Sequence, residues 1–380
     1  MSKSKETTVK ERISNAIKDI KAHDGVVNFF VLDTKDLVNG EMAYIYDLAY
    51  TLHEQGVKVQ MLYQIKDEVS LDKYAELINK GADKYTIPYF IGVRSWLGDK
   101  YADLPHLNIA DKQWSVSPQD YLIIPEAFAE MMYHTFKNPL PCKRYALLHN
   151  FNYITEFLPF GTTWLHYGIF DAIVSSPSQE KLLKSVFPKV NTIVLPPSIP
   201  DYFRKGVEPK KLVVNIITKT TAEARRIIQQ FYWKYPVYKF VTFRDLRNLP
   251  REDYANAMRE GCITVWSDPT TAFGYGALEA MKSGSIVIGK IPDDIPDWMG
   301  DNTHLVDNGI WVDNINQIPD WIAKTLGVWM NDNVPQELYS EAQKTVENYT
   351  PVKWKENVAK LYDKMCSNRV AELEELIEKK

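Results

Sequence analysis

The feature that most constrains this chain is a regular alternation, made twice over, of short apolar runs with stretches of helical period. The first series opens with an apolar run at 26–32, a loop at 33–40, and a helix on which Ile45, Leu48, Ala49 and Leu52 share one face. Gly56 ends that helix, 57–63 is the next strand, and further strands are expected at 121–124, 145–148, 172–175 and 192–195. Residues 196–209, rich in proline and charge, read as a linker. The second series then runs strand 212–217, helix 222–234, strand 238–243, helix 252–259, strand 262–266, a helix from near Gly276, strand 286–288, and helices at 318–329 and 336–348. Strands that each hand over to a helix lie parallel, with helices covering the sheet, so the fold class is α/β. A chain of 380 residues is too long for one ordinary core and fits two. The stretch 91–119 has no strong period and is expected to lie over a ligand cleft.

Composition narrows the setting. No run of 18 apolar residues occurs, which argues against an integral membrane segment, and residues 1–24 lack the unbroken apolar core of a signal peptide. Val9, Ile13, Ile17 and Ile20 recur at helical spacing among lysines and arginines, as expected of a surface helix packed on the first domain. Cys142, Cys262 and Cys366 are scattered, without the spacing of a disulfide framework or a zinc site. A cytoplasmic location is the expectation. The overall charge is close to balanced, with 45 basic and 49 acidic residues, yet the stretch 204–251 carries twelve basic residues against three acidic ones. That block suits a diphosphate or a polyanionic acceptor such as nucleic acid, and a solvated basic surface explains it equally well.

One turn carries most of the chemistry. The strand 262–266 delivers the chain to Ser267, after which Pro269, Gly274 and Gly276 keep the backbone irregular until a helix begins. Glycines let a backbone approach a ligand closely, and a helix start offers unpaired N–H groups with a partial positive charge, which together suit a diphosphate. The run SDPTTAFGYGALEAMKSG at 267–284 resembles the donor-binding motif of retaining glycosyltransferases of the family-four type, which have the GT-B fold. Phe273, Gly274, Leu278, Glu279, Ala280 and Met281 keep the family's pattern, whereas Thr271 stands where its first glutamate belongs. The resemblance implies two Rossmann-like domains facing a cleft: residues 1–200 for the acceptor, 205–348 for the nucleotide-sugar, and a helix at 352–380 returning to the first domain. It gives Glu279 the two ribose hydroxyls and the amides around Ala272, Phe273 and Gly274 the phosphates. Thr271 near the sugar implies a different donor sugar or a weakened enzyme.

The resemblance extends to single residues. Gly40 stands where the family has a glycine loop between the first strand and first helix, and would let the backbone approach the donor. His149 and Glu126 follow strands of the first series at their C-terminal ends, where open α/β sheets bind ligands. A histidine or glycine serving structure alone fits those positions equally well. Lys219 and Arg225 follow the first strand of the second series, near the two cations with which the family neutralises the leaving diphosphate. The implied reaction is transfer from a UDP-linked donor with retention of configuration, requiring no cofactor and no essential metal; the chain has no Asp-x-Asp. A dehydrogenase's Gly-x-Gly-x-x-Gly is also missing after the first strand. The acceptor stays open among polysaccharide, lipid, protein and modified nucleic acid bases. A GT-B sugar epimerase and a non-catalytic nucleotide-sugar binder are the other readings.

Overall fold

A computed structural model of the chain describes residues 2–31, 40–65, 69–82, 99–110, 114–206, 209–247, 249–301, 303–333 and 336–378. Residues 33–39 of the loop expected at 33–40, and residues 91–98 and 111–113 of the aperiodic stretch, lie outside the described residues. Backbone contacts divide the chain into two compact units, one of Met1–Val174, Leu182–Leu195 and Lys355–Lys380, the other of Ser175–Lys181 and Pro196–Trp354.

The first unit is built on a seven-stranded sheet, β1 (Val26–Phe30), β2 (Lys58–Tyr63), β3 (His106–Asn108), β4 (Tyr121–Pro125), β5 (Lys143–Leu148), β6 (Asp171–Val174) and β7 (Asn191–Val194). The order is β3-β2-β1-β4-β5-β6-β7 and every pairing is parallel. Burial on both faces explains why β4 reads as an unbroken apolar run, Tyr-Leu-Ile-Ile-Pro, with all five residues buried. Between the strands come α2 (Gly40–Glu54), α3 (Leu71–Asn79), α4 (Ala129–Lys137), α5 (Phe151–Phe157) and α6 (Pro177–Val186); α1 (Ser2–Lys21) precedes them all. On α1, Ala16, Ile17 and Ile20 are buried, the face that the amphipathic spacing marks. The final helix, α12 (Pro351–Glu378), begins on a proline, whose missing N–H costs nothing at a helix start. From Lys355 onward it belongs to this unit: Val358, Leu361, Tyr362 and Met365 are buried, and Arg369 Nη2 donates to Pro118 O (3.0 Å) and Pro141 O (2.8 Å).

The second unit holds β8 (Lys211–Thr218), β9 (Thr242–Asp245), β10 (Gly261–Ser267), β11 (Ile286–Lys290) and β12 (Ile310–Val312), in the parallel order β12-β11-β10-β8-β9. Its helices are α7 (Thr221–Lys234), α8 (Arg251–Glu260), α9 (Tyr275–Lys282), α10 (Ile318–Met330) and α11 (Gln336–Val346). Two strands escape the sequence reading, β3 and β12, because three residues are too few to show a period. The strand expected at 238–243 is displaced. Pro236–Tyr238 forms a 3-10 turn, Val241 N–H bonds back to Tyr238 O (3.0 Å), and Tyr238 packs its ring on Phe231, so extended backbone begins only at Thr242.

In a parallel sheet with helices on both faces, ligands gather beyond the strand C-termini where the direction of winding reverses. The first sheet reverses between β1 and β4, and the second between β8 and β10.

Candidate functional site

At the reversal in the second sheet, Thr218 at the end of β8 pairs in register with Ser267 at the end of β10. The two following turns are tied together: Lys219 N–H donates to Ser267 O (3.1 Å) and Lys219 Nζ lies 3.9 Å from Asp268 Oδ1. Asp268 Oδ1 also accepts from the Thr270 amide (3.2 Å) and hydroxyl (3.1 Å), and the Thr271 amide closes onto Asp268 O (3.3 Å). The N–H groups of Ala272, Phe273 and Gly274 meet no acceptor among the described residues. Phe273 itself is buried, its ring edge-on to Tyr275 (5.0 Å) and Tyr349 (5.1 Å), so the side chain anchors the turn from within.

Gly274 caps α9 in the left-handed region, at φ 79° and ψ 44°. A Cβ there would lie 2.8 Å from Trp298 Cζ2 and 3.2 Å from Trp266 Cζ2. Trp298 is fixed in turn, with Nε1 donating to Phe273 O (2.5 Å). Backbone sign and packing therefore both demand glycine. Gly274→Ala should cost about 1–2 kcal/mol for the backbone alone, with the indole clash added; denaturant melting should show it, together with weaker nucleotide binding.

Glu279 sits on α9 in partial burial. Burial pushes its carboxyl up to about 7, against the opposing influence of Arg251 and a hydrogen bond from Tyr254. Arg251 and Tyr254, three residues apart on α8, come to Glu279 because α8 and α9 are clamped at their far ends. Lys210 Nζ donates there to Met258 O (3.1 Å), Arg259 O (3.1 Å) and Ser283 O (2.7 Å). Gly276 completes the fit, since a Cβ on it would meet Ile217 Cδ1 at 3.0 Å and the Tyr254 hydroxyl at 3.3 Å. Arg225 stands apart on an exposed face of α7, and among the described residues no hydrogen bond or ion pair links it to the turn.

A second cluster lies at the reversal in the first sheet. Glu126, directly after β4, is fully buried, and its Oε1 accepts the amides of His149 (3.0 Å) and Asn150 (2.6 Å) beyond β5. Glu41, in the first turn of α2, is buried as well, and burial pushes its carboxyl up to about 7; among the described residues its Oε1 and Glu126 Oε2 meet no hydrogen-bond partner. The His149 ring packs on Tyr44 at 5.6 Å, and burial lowers its pKa to about 4, which keeps the imidazole neutral near pH 7. Gly40 opens α2, and a Cβ added there would meet nothing within 4 Å among the described residues.

No protein-family model matches the chain. Solved structures match nearly all of it. The pneumococcal O-GlcNAc transferase GtfA in complex with UDP and GlcNAc aligns with a TM-score of 0.59 at 10% identity, over 91% of this chain and 99% of that one. A glycosyltransferase from Rickettsia africae ESF-5 gives 0.59 at 13% identity, over 90% and 99%. The sucrose-phosphate synthase from Thermosynechococcus elongatus gives 0.56 at 13% identity, over 90% and 100%. The fold is GT-B. Among curated proteins, an alpha-1,6-glucosyltransferase of Actinobacillus pleuropneumoniae serotype 7 (strain AP76) is 26% identical over 232 residues, 55% of this chain and 67% of that protein.

Within this GT-B chain the structure gathers Thr271, Ala272, Phe273, Gly274 and Glu279 on one turn and helix, and sets Lys219 beside that turn. It gathers Glu126 and His149 at one sheet edge, near the helix that Gly40 opens. Three neighbours escape the sequence reading. Arg251 and Tyr254 share a helix face, a spacing visible in sequence but without meaning until Glu279 is known to face it. Glu41 adjoins Gly40, yet one carboxylate in a helix's first turn is too common to stand out.

Proposed function

We propose that the chain is a glycosyltransferase that takes its sugar from a nucleoside-diphosphate donor and transfers it with retention of configuration, without an essential metal. The coarse part of this reading has support from the GT-B fold and from the likeness to a curated glucosyltransferase. The observation that carries it is Glu279: a half-buried carboxyl with Arg251 and Tyr254 around it, on the helix whose leading turn opens at the reversal of a parallel sheet. In the proposed complex Glu279 accepts hydrogen bonds from the ribose hydroxyls, and the amides of Ala272 to Gly274 receive phosphate oxygens. Lys219, 54% exposed, swings from Asp268 to the leaving diphosphate as its charge develops. A side-chain ammonium and a helix start supply positive charge without a cation from solution.

UDP is the first nucleotide to test, because the matched GtfA structure contains it, and glucose the first sugar, because the curated relative is a glucosyltransferase. Incubating the protein with a panel of nucleotide-sugars and separating hydrolysis, transfer and epimerisation products discriminates a transferase from an epimerase and from a binder. Turnover is expected to survive EDTA, and Lys219→Ala is expected to lower kcat by about 100-fold or more, the scale of losing one transition-state electrostatic contact. Activity that EDTA abolishes and added metal restores would remove the metal-free part of the reading. The acceptor is proposed only as a hydroxyl-bearing molecule, with polysaccharide, lipid, protein and nucleic acid as the arms of an acceptor screen.

A further inference from the structure

We propose that the tip where α7 runs into β9 is a docking surface for the face of an anionic lipid bilayer, holding the chain at a membrane without crossing it. The stretch 231–240, FYWKYPVYKF, has six aromatic residues and two lysines and no acidic one. Its apolar residues divide by role. Phe231 is fully buried, and the rings of Tyr232, Tyr235 and Tyr238 pack on it at 5.7, 5.8 and 5.9 Å. Two hydroxyls are tied down as well, Tyr232 donating to Val241 O (2.7 Å) and Tyr235 to Asp320 Oδ1 (2.7 Å). That anchoring turns outward Trp233, 72% exposed, Val237, 74%, and Phe240, 57%. The 3-10 turn Pro236–Tyr238 fixes the backbone between them, with Tyr238 N–H on Tyr235 O (3.0 Å) and Val241 N–H on Tyr238 O (3.0 Å). Single exposed apolar residues are ordinary on a protein surface, but three large ones on one anchored stretch, a tryptophan among them, make a patch.

The charge around the patch selects its partner. Lys239 is exposed and, among the described residues, meets no carboxylate. On α10, which packs along this stretch, Asp320 pairs with Lys234 (2.9 Å), and a Cβ on Gly327 would meet the Tyr238 hydroxyl at 3.6 Å. Lys324, exposed and with its ammonium over the Trp321 ring (4.2 Å), lies between them on the same helix face. Three ammonium groups thus stand against one carboxylate, and the surface is positive. Such a combination suits an anionic headgroup layer, where aromatic rings settle at headgroup level, aliphatic groups reach the acyl boundary and lysines meet lipid phosphate. A second copy of the chain fits less well, because a two-fold contact sets this positive face against itself. Single-stranded nucleic acid favours stacking platforms, whereas the most exposed group here is Val237, which has no ring to stack.

The place of the patch leaves the donor turn open. α7 begins at Thr221, beyond the C-terminal end of β8, and its 14 residues carry the chain about 20 Å to the opposite edge of the sheet, where β9 starts. No described helix is long and apolar enough to cross a membrane, so contact of this kind is peripheral. Vesicle binding at this edge requires neither donor nor acceptor and is measured independently of the glycosyltransferase reading.

Flotation of the full chain with phosphatidylcholine vesicles, with and without phosphatidylglycerol, tests the surface. Wild type should rise with the anionic vesicles only, and raised salt should weaken that binding. Trp233→Ser combined with Phe240→Ser should reduce binding about tenfold or more by removing the apolar anchors. Lys239→Glu should reduce it about tenfold by reversing one charge. These side chains are exposed, so thermal melts of the variants should superimpose on that of wild type. Wild type that stays in the soluble fraction overturns the proposal, as does a double-serine variant that floats like wild type. A dimer that the double-serine variant dissolves, or an oligonucleotide complex lost in that variant, also overturns it where vesicle binding is absent, and assigns the patch to a second copy or to nucleic acid instead.

Discussion

Replacing Glu279 by alanine should weaken nucleoside diphosphate binding at least about tenfold, since a hydrogen bond to a charged group is worth about 1.5–3 kcal/mol. Titration calorimetry with UDP measures this directly, without knowledge of sugar or acceptor. The effect should depend on pH with a definite sign. Burial raises the Glu279 carboxyl to about 7, and ribose hydroxyls bind best to the ionised form. Wild-type affinity should then rise between pH 6 and pH 8, by up to about tenfold if only the carboxylate binds. Glu279→Gln should bind weakly at both values, with little slope left. Tyr254→Phe removes a donor that competes for the same carboxyl and helps hold it in place, so its effect should be the smaller of the two. Equal UDP binding by wild type and Glu279→Ala would detach the nucleotide from this helix altogether.

How much of this was legible in the chain depends on whether the signal is local. The α/β class follows from apolar runs that hand over to helical periods, and the GT-B fold from six residues after β10, because both are written in contiguous sequence. β3 and β12 are set by pairing with neighbours rather than by their own three residues, and nothing in the chain announces them. The late start of β9 is similar: Tyr238 to Phe243 has strand composition, but Pro236 and the packing of Tyr238 on Phe231 spend the first residues on a turn. The surroundings of Glu279 depend on Lys210, some 70 residues away in sequence, holding the ends of two helices. Glu41 acquires meaning only because β1 and β4 are neighbours, which brings the start of α2 to the end of β4. The sequence names groups; topology decides which of them meet.

The largest loss of stability should come from a residue remote from either reversal point. Lys143 opens β5 with its side chain only 11% exposed, and its ammonium pairs with both Asp171, 6% exposed at the start of β6, and Glu372 on α12. Among the described residues Asp171 has one further side-chain donor, Asn191 Nδ2 at 3.3 Å, a weak substitute. Lys143→Met keeps most of the aliphatic stem but strands a buried carboxylate, and breaking a buried pair by removing one partner costs about 3–5 kcal/mol. The desolvation of Asp171 drives that cost, whereas the contact to the more exposed Glu372 adds less. The two contributions separate in a cycle. Glu372→Gln alone should lower stability by no more than about 1 kcal/mol, and Lys143→Met with Asp171→Asn should recover much of the loss seen with Lys143→Met, because a neutral amide no longer has to be buried with a charge. Urea melts of the four proteins decide it. If Lys143→Met proves as mild as Glu372→Gln, then the ammonium serves α12 and not the sheet, and Asp171 must reach solvent in the folded chain.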